Sequence, residues 1–315
     1  MRPFHQQILL FLALPLVVAG GRASQADTAP LEPASFGYSR AILQGLNEAD
    51  FRSAMLVYAR IISNNAGVKT RSEQQIFDGV ADMTAALRSG SINLVTAPSR
   101  EILSMSPADI EQEFVAAANA GATGEEFVLV VRADRGIERL AQLKDHSIAM
   151  WDSPTAALGQ DWLDILLARE SLGTPAAFFR QVRYCAKPGA AVLPVYFRQM
   201  DAGLATRRAF ALLCEMNPRL AVELRIVAVS PRVQSLLTAF RRGINPQLRT
   251  SILSTMFSIG STPAGRQVLM LYQTESLAFC DPEVIGATRQ LLAEHQRLCA
   301  GIPRSPATDP PAATP

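Results

Sequence analysis

Between Phe36 and Ser230 short apolar runs alternate with segments of helical spacing, and few folds accommodate that alternation. The runs "SFGY", "INLVTAP", "EEFVLVVRA", "SIAMW", "FFRQVRYCA", "DAGLAT" and "LRIVAVS" read as strands. From Asn47 a helix is expected, with Phe51, Met55, Tyr58 and Ile62 on one face and Gly67 past its end. "FDGVADMTAALRSG" predicts a second helix, closed by Gly90. Further helices are expected over "GIERLAQLKD", over Ser153 to Glu170 with Leu158, Trp162, Ile165 and Leu166 on one face, and over "GAAVLPVYFRQM" and "RRAFALLCEMN". Beyond Ser230 the pattern turns mostly helical, and no fixed-period repeat occurs. Strand–helix alternation implies an α/β fold with mostly parallel sheets covered by helices on both faces. Such folds hold ligands at the carboxyl ends of strands, near helix N-termini.

The start of the chain stands apart from this pattern. "MRPFHQQ" is polar and basic, "ILLFLALPLVVAG" is a short apolar core, and "GRASQAD" supplies small residues at cleavage spacing. Residues 1–26 therefore read as a secretory signal peptide, cut after Ala23 or Ala26. Removing it takes away Arg2 and Arg22 and no acid, so the 30 basic and 28 acidic residues of the full chain become equal in number. Without a net charge or a basic run, nucleic acid is not an expected partner. No later segment is apolar enough to span a membrane. The proline-rich end, "GIPRSPATDPPAATP", reads as a disordered tail over 301–315.

Export into an oxidising compartment changes how the four cysteines read, since an even number there suggests disulfides. Of the three possible connectivities, pairing neighbours along the chain gives Cys185–Cys214 and Cys280–Cys299. Metal binding is the weaker alternative. No Cys-x-x-Cys occurs, and although His295 and Cys299 could share a helix face, two ligands do not make a site.

"MWDSPTAALGQDW" combines a strand end with hydroxyl residues and the start of a helix. Ser153 suits the N-cap, and Pro154 suits the first turn, where its missing N–H is not needed. With Thr155 and the amide of Ala156, this turn could hold an oxyanion against the positive end of the helix. Simple capping explains the same residues equally well.

The order of segments resembles the phosphate/phosphonate-type substrate-binding proteins of ABC importers, from about Phe36 to Gln273. The matching pieces are Gly37-Tyr38, "FDGVADMTAALRSGSINLV", "EEFVLVVRADRGIERLAQLKDHSIAMWD", Ser153-Pro-Thr where that family has Ser-Thr-Ser, "VYFRQMDAGLAT" and "LRIVAVSP". The resemblance implies a two-lobed type 2 periplasmic-binding fold, each lobe a mostly parallel sheet. Residues 33–119 plus 229–300 would form lobe one and residues 120–228 lobe two, with two chain crossings as a hinge. It also implies an exported, monomeric binding protein without a cofactor. The protein would capture a phosphonate, phosphate or phosphite in the periplasm and deliver it to an ABC permease.

The departures from the family pattern bear on the ligand. Lys187 stands in "AKPGAA", near the place where the family often has a histidine, and offers a cation for an oxyanion. "TRRAF" and "SPRVQS" carry arginines where aminophosphonate binders carry acids, which argues against an amine on the ligand. Asp201 could reach the cleft rim or cap its strand. Tyr38, Thr96 and Ser99 are first-lobe candidates by their place at strand ends. An enzyme on the same fold is the less favoured reading, since no Gly-x-Ser-x-Gly, His-Glu-x-x-His or Cys–His pair occurs. A sensor that reports ligand occupancy to a membrane histidine kinase is a further alternative.

Overall fold

A computed structural model describes residues 32–43, 46–71, 74–271 and 274–300. The expected signal peptide and the expected tail lie outside the described residues. In chain order the elements of the first part are β1 (Phe36–Ser39), α1 (Glu48–Ala66), β2 (Gln75–Phe77), α2 (Val80–Ser89), β3 (Leu94–Pro98), α3 (Ser99–Ile102), β4 (Val115–Asn119) and β5 (Ala122–Thr123). The middle holds β6 (Phe127–Arg132), β7 (Ser147–Trp151), α4 (Ala157–Arg169), α5 (Pro175–Phe178), β8 (Gln181–Cys185), α6 (Pro188–Tyr196), β9 (Ala202–Thr206), α7 (Arg207–Met216), α8 (Arg219–Glu223) and β10 (Leu224–Val229). The chain then adds β11 (Leu236–Phe240), α9 (Pro246–Ser258), α10 (Pro263–Leu271), β12 (Ser276–Phe279) and α11 (Pro282–Leu298).

The strands form two mixed sheets. One runs β12-β4-β11-β3-β1-β2, with β5 paired to β4, and the other runs β10-β6-β9-β7-β8. Parallel pairing is confined to β2-β1-β3 and to β8-β7-β9, and the other pairs are antiparallel. The sheets are thus less parallel than the alternation suggested, because the chain crosses between them and returns along antiparallel strands.

Helices cover both faces of each sheet, which explains the unbroken apolar strands. In β6, Phe127, Leu129 and Val131 face a core shared with α4, α5 and Leu291 of α11, whereas Val128 and Val130 face the side covered by α6 and α8. The first sheet packs α1, α9 and α10 on one face and α2 and α3 on the other. At Gly203 in β9 a Cβ would stand 2.3 Å from the carbonyl oxygen of Ala191, so only glycine lets α6 lie this close.

Local signals account for the helix ends. Asn47 caps α1 by accepting from the amides of Ala49 and Asp50, and Gly67 closes it at φ 63°. The expected helix over "GIERLAQLKD" is instead a short 3-10 turn at Leu140–Leu143, with another at Ala133–Arg135 just before the segment. Ile137, Leu140 and Leu143 are all buried, and their spacing of three matches a 3-10 turn rather than a 3.6-residue repeat.

The two crossings run side by side. Glu125 and Val233 exchange backbone hydrogen bonds of 2.8 and 2.9 Å, and Gly124 N donates to the Gln234 side chain at 2.8 Å. C-terminal helix α11 does not stay with the first sheet. Val284 packs among first-sheet residues, Leu291 packs in the second core, and Arg169 of α4 pairs with Glu294 at 2.8 Å.

Of the two expected disulfides, the helix geometry excludes Cys280–Cys299. All four cysteines are unpaired. Cys280 precedes the 17-residue α11 and Cys299 follows it. Such a helix separates its ends by about 25 Å, against the roughly 7 Å that a disulfide tolerates between Cα atoms. Cys185 and Cys214 both lie against the core under α6, where the Cys185 thiol donates to the Ala190 carbonyl at 3.3 Å.

Candidate functional site

The parallel strands β7, β8 and β9 end at Trp151, Cys185 and Thr206, along one edge of the second sheet. The Asp152 amide donates to the Cys185 carbonyl at 2.9 Å, which fixes the chain as it leaves β7. The first sheet presents the ends of β1 and β3, and β11 pairs Leu236 opposite Pro98 at that end. The returning crossing joins the two edges. Ser99 N donates to Ser235 O at 2.8 Å, and Ser235 Oγ donates to Thr155 O at 2.6 Å. Arg100 of α3 pairs with buried Asp161 of α4, and Arg208 reaches Glu275 at 3.5 Å.

At the second-sheet edge the Ser153 turn precedes the helix instead of beginning it. Ala156 N donates to Ser153 O at 2.9 Å and to Ser153 Oγ at 3.1 Å, and α4 starts at Ala157. The Ala156 amide is therefore bonded inside its own turn, and the expected free donor is absent there. Ser153 Oγ lies 2.8 Å from Thr155 Oγ1, and both residues are half-buried. A hydroxyl carries one proton and two lone pairs. Ser153 can accept from Ala156 and donate to Thr155, which leaves the Thr155 proton for another acceptor. The positive end of the 13-residue α4 lies behind this turn. Lys187 follows β8 at the same edge, is exposed, and forms no ion pair among the described residues.

Other expected contacts are committed elsewhere. Asp201 precedes β9 and sits at the amino end of the sheet, where it accepts from the amide and the hydroxyl of Ser147 at 2.9 and 2.8 Å and from Arg135 at 3.0 Å. Burial pushes this carboxyl up, but those hydrogen bonds and nearby His146 hold it below the usual carboxylate range. Its role is to pin the starts of β7 and β9. Tyr38 is buried in the first core with its ring against Phe51. Thr96 shares a hydroxyl contact of 2.7 Å with Thr238. Ser99 is 1% exposed, and its hydroxyl donates to the Gln234 carbonyl. Ser99 thus locks β3 to the crossing.

The arginines of "TRRAF" do not stand without acids. Arg207 pairs with Glu126 at 2.6 Å, and Arg208 pairs with Glu275. Both acids come from elsewhere in the chain, so the local sequence could not show them. Sequence reasoning also missed Ser235 and Arg100, whose only signal was their place beside the strand ends of "TAPSRE" and "SPRVQS".

Two kinds of likeness bear on this arrangement. A Xanthomonas citri protein solved with bound ATP superposes with a TM-score of 0.59 at 17% identity, covering 86% of this chain and 100% of that one. A binding protein component of a Pseudomonas aeruginosa ABC phosphonate transporter gives a TM-score of 0.52 at 17% identity over 85% and 88% of the two chains. A Prochlorococcus marinus protein in complex with methylphosphonate gives 0.51 at 12% identity over 84% and 97%. These likenesses establish the fold. None of the curated proteins matches this chain in sequence. The family described as ABC transporter, phosphonate, periplasmic substrate-binding protein matches residues 42–283. The chain belongs to this family of periplasmic substrate-binding proteins.

Proposed function

We propose that the protein captures a small phosphonate or phosphate between the two sheets and holds it at the Ser153–Thr155 turn. Family membership makes it a solute-binding component of an ABC importer that works outside the cytoplasm, not a catalyst. The observation that carries the ligand site is the hydroxyl relay. Ala156 N–H donates to Ser153 Oγ, the Ser153 and Thr155 hydroxyls share a 2.8 Å contact that uses one of their two protons, and the other proton is left for a ligand beside the α4 N-terminus. Lys187 at the neighbouring strand end supplies a cation that no carboxylate claims among the described residues. Ser153 and Thr155 would take the anionic head, and Lys187 would close over it.

The arginine–carboxylate pairs at Arg207 and Arg208 neutralise that rim, so selection for the anion falls to the turn and to Lys187. In this reading the leader over residues 1–26 delivers the chain to the periplasm, and the mature protein acts as a monomer that docks on a permease.

Thermal-shift screening of the untagged mature protein against phosphate, phosphite, methylphosphonate and sulfate tests the proposal. A ligand at about 100 times its Kd adds about 2.7 kcal/mol of stability. Shifts for phosphorus oxyanions support the reading. A flat response to all of them, with a shift for a cationic or neutral solute, overturns it.

A further inference from the structure

His295 of α11 faces two carboxylates of α4 with one ring nitrogen. Its Nε2 lies 3.1 Å from Asp164 Oδ2 and 3.5 Å from Asp161 Oδ1. All three donor atoms fall within 4.8 Å of one another. The side chains of Asp161 and His295 are 4% and 11% exposed, and Asp164, at 18%, keeps one side of the cluster open to solvent. Asp161 and Asp164 are one helical turn apart, which sets both carboxylates on one face of α4.

One imidazole nitrogen carries at most one proton and cannot bond two carboxylates well. A divalent ion can satisfy all three groups. Ligand bonds of about 2.0–2.1 Å at tetrahedral angles put donor atoms about 3.3 Å apart. The two observed distances from Nε2 bracket that edge. Asp161 turns its other oxygen, Oδ2, to Arg100. That is how an outer-shell partner orients a ligating carboxylate.

We propose that Asp161 Oδ1, Asp164 Oδ2 and His295 Nε2 form a site for a zinc-class divalent ion, with water as the fourth ligand. The nitrogen-and-oxygen donor set suits such an ion. The ion would staple C-terminal helix α11 to α4. This site is separate from the Ser153–Thr155 turn and does not depend on the ligand proposed there.

The test uses the untagged mature chain after chelator treatment. Calorimetric titration with Zn2+ should give one ion per chain and a higher Tm. Asp164→Asn and His295→Gln should each weaken Zn2+ binding by about tenfold or more, as loss of a ligating atom requires. His146→Gln, a half-buried histidine outside the cluster, should leave the binding unchanged. Should a variant fold poorly, Co2+ added to the wild-type protein decides: a saturable visible band at one equivalent supports the site. No such band, a stoichiometry other than one, or wild-type Zn2+ affinity in a folded Asp164→Asn protein overturns it.

Discussion

Replacing Thr155 with alanine removes the hydroxyl that the relay leaves free for a ligand. If the anion sits there, the lost contact is a charge-assisted hydrogen bond, which contributes about 1.5–3 kcal/mol. At 1.4 kcal/mol per decade that is about a 10- to 150-fold rise in Kd. The empty protein loses only the 2.8 Å contact with Ser153, a neutral bond between half-buried hydroxyls worth about 0.5–1.5 kcal/mol. Ser153→Ala separates the two roles. It leaves the Ala156 amide without its side-chain acceptor and should destabilise the turn by about 1 kcal/mol. Its effect on affinity should be smaller than that of Thr155→Ala, because the Thr155 proton remains. Calorimetric titration of both variants with methylphosphonate and phosphate, beside thermal melts of the empty proteins, measures the split. Wild-type affinity in Thr155→Ala would refute the relay and reduce Ser153–Thr155 to the start of a helix.

Four further outcomes follow from the geometry. Asp201→Asn should lower the Tm at pH 7 without changing oxyanion affinity; because the folded carboxyl titrates below its unfolded value, its stabilisation is present above the unfolded pKa and fades as pH falls, so the wild-type and variant melts should converge in acid. Glu125 shows the opposite sign: burial first of all pushes its carboxyl up against the pull of Arg208 and Arg232, so ionisation at neutral pH works against folding, and Glu125→Gln should raise the Tm at pH 7 with a gain that vanishes toward pH 4. Gly203→Ala sets a methyl against the backbone of α6 and should destabilise by about 3 kcal/mol or more, seen as a lower urea midpoint at unchanged slope. Peptide mapping without reductant should find no Cys280–Cys299 link, and Cys280, whose thiol burial pushes up to about 11, should resist alkylation until the protein is unfolded.

What the sequence disclosed follows from how local each cause is. Strands β6, β7 and β9 are covered on both faces, so their apolar runs are continuous and readable. α1 carries its own cap and its own terminating glycine. By contrast β4, "VAAAN", and β12, "SLAF", pair with each other across more than a hundred residues, and alanine favours helix when read alone. β11 owes its strand form to β3, which sits far upstream. The Ser153–Thr155 turn was readable because capping chemistry is short-range, though not that the Ala156 amide is used within it. Tyr38, Thr96 and Ser99 were chosen for standing at strand ends, a criterion that does not say which face or partner takes the side chain. For Asp201 the sequence left cleft rim and strand cap open, and its bonds to Ser147, made just ahead of β9, give it the capping role.

The crossing shows what the buried Ser99 hydroxyl does in the fold. Ser99 gives its amide to Ser235 and its hydroxyl to Gln234, while Ser235 gives its hydroxyl to Thr155. The end of β3, the returning chain and the start of α4 therefore share one run of hydrogen bonds. Arg100 and Asp161 reinforce it from the next turn of each helix. Any rotation about the crossings that opens the space between the sheets must carry Arg100 and Asp161 together or separate them. Separating them leaves a 4% exposed carboxylate without its guanidinium, which is costly unless another cation or water reaches it. An anion bound by Thr155 would act on the residue whose carbonyl anchors Ser235.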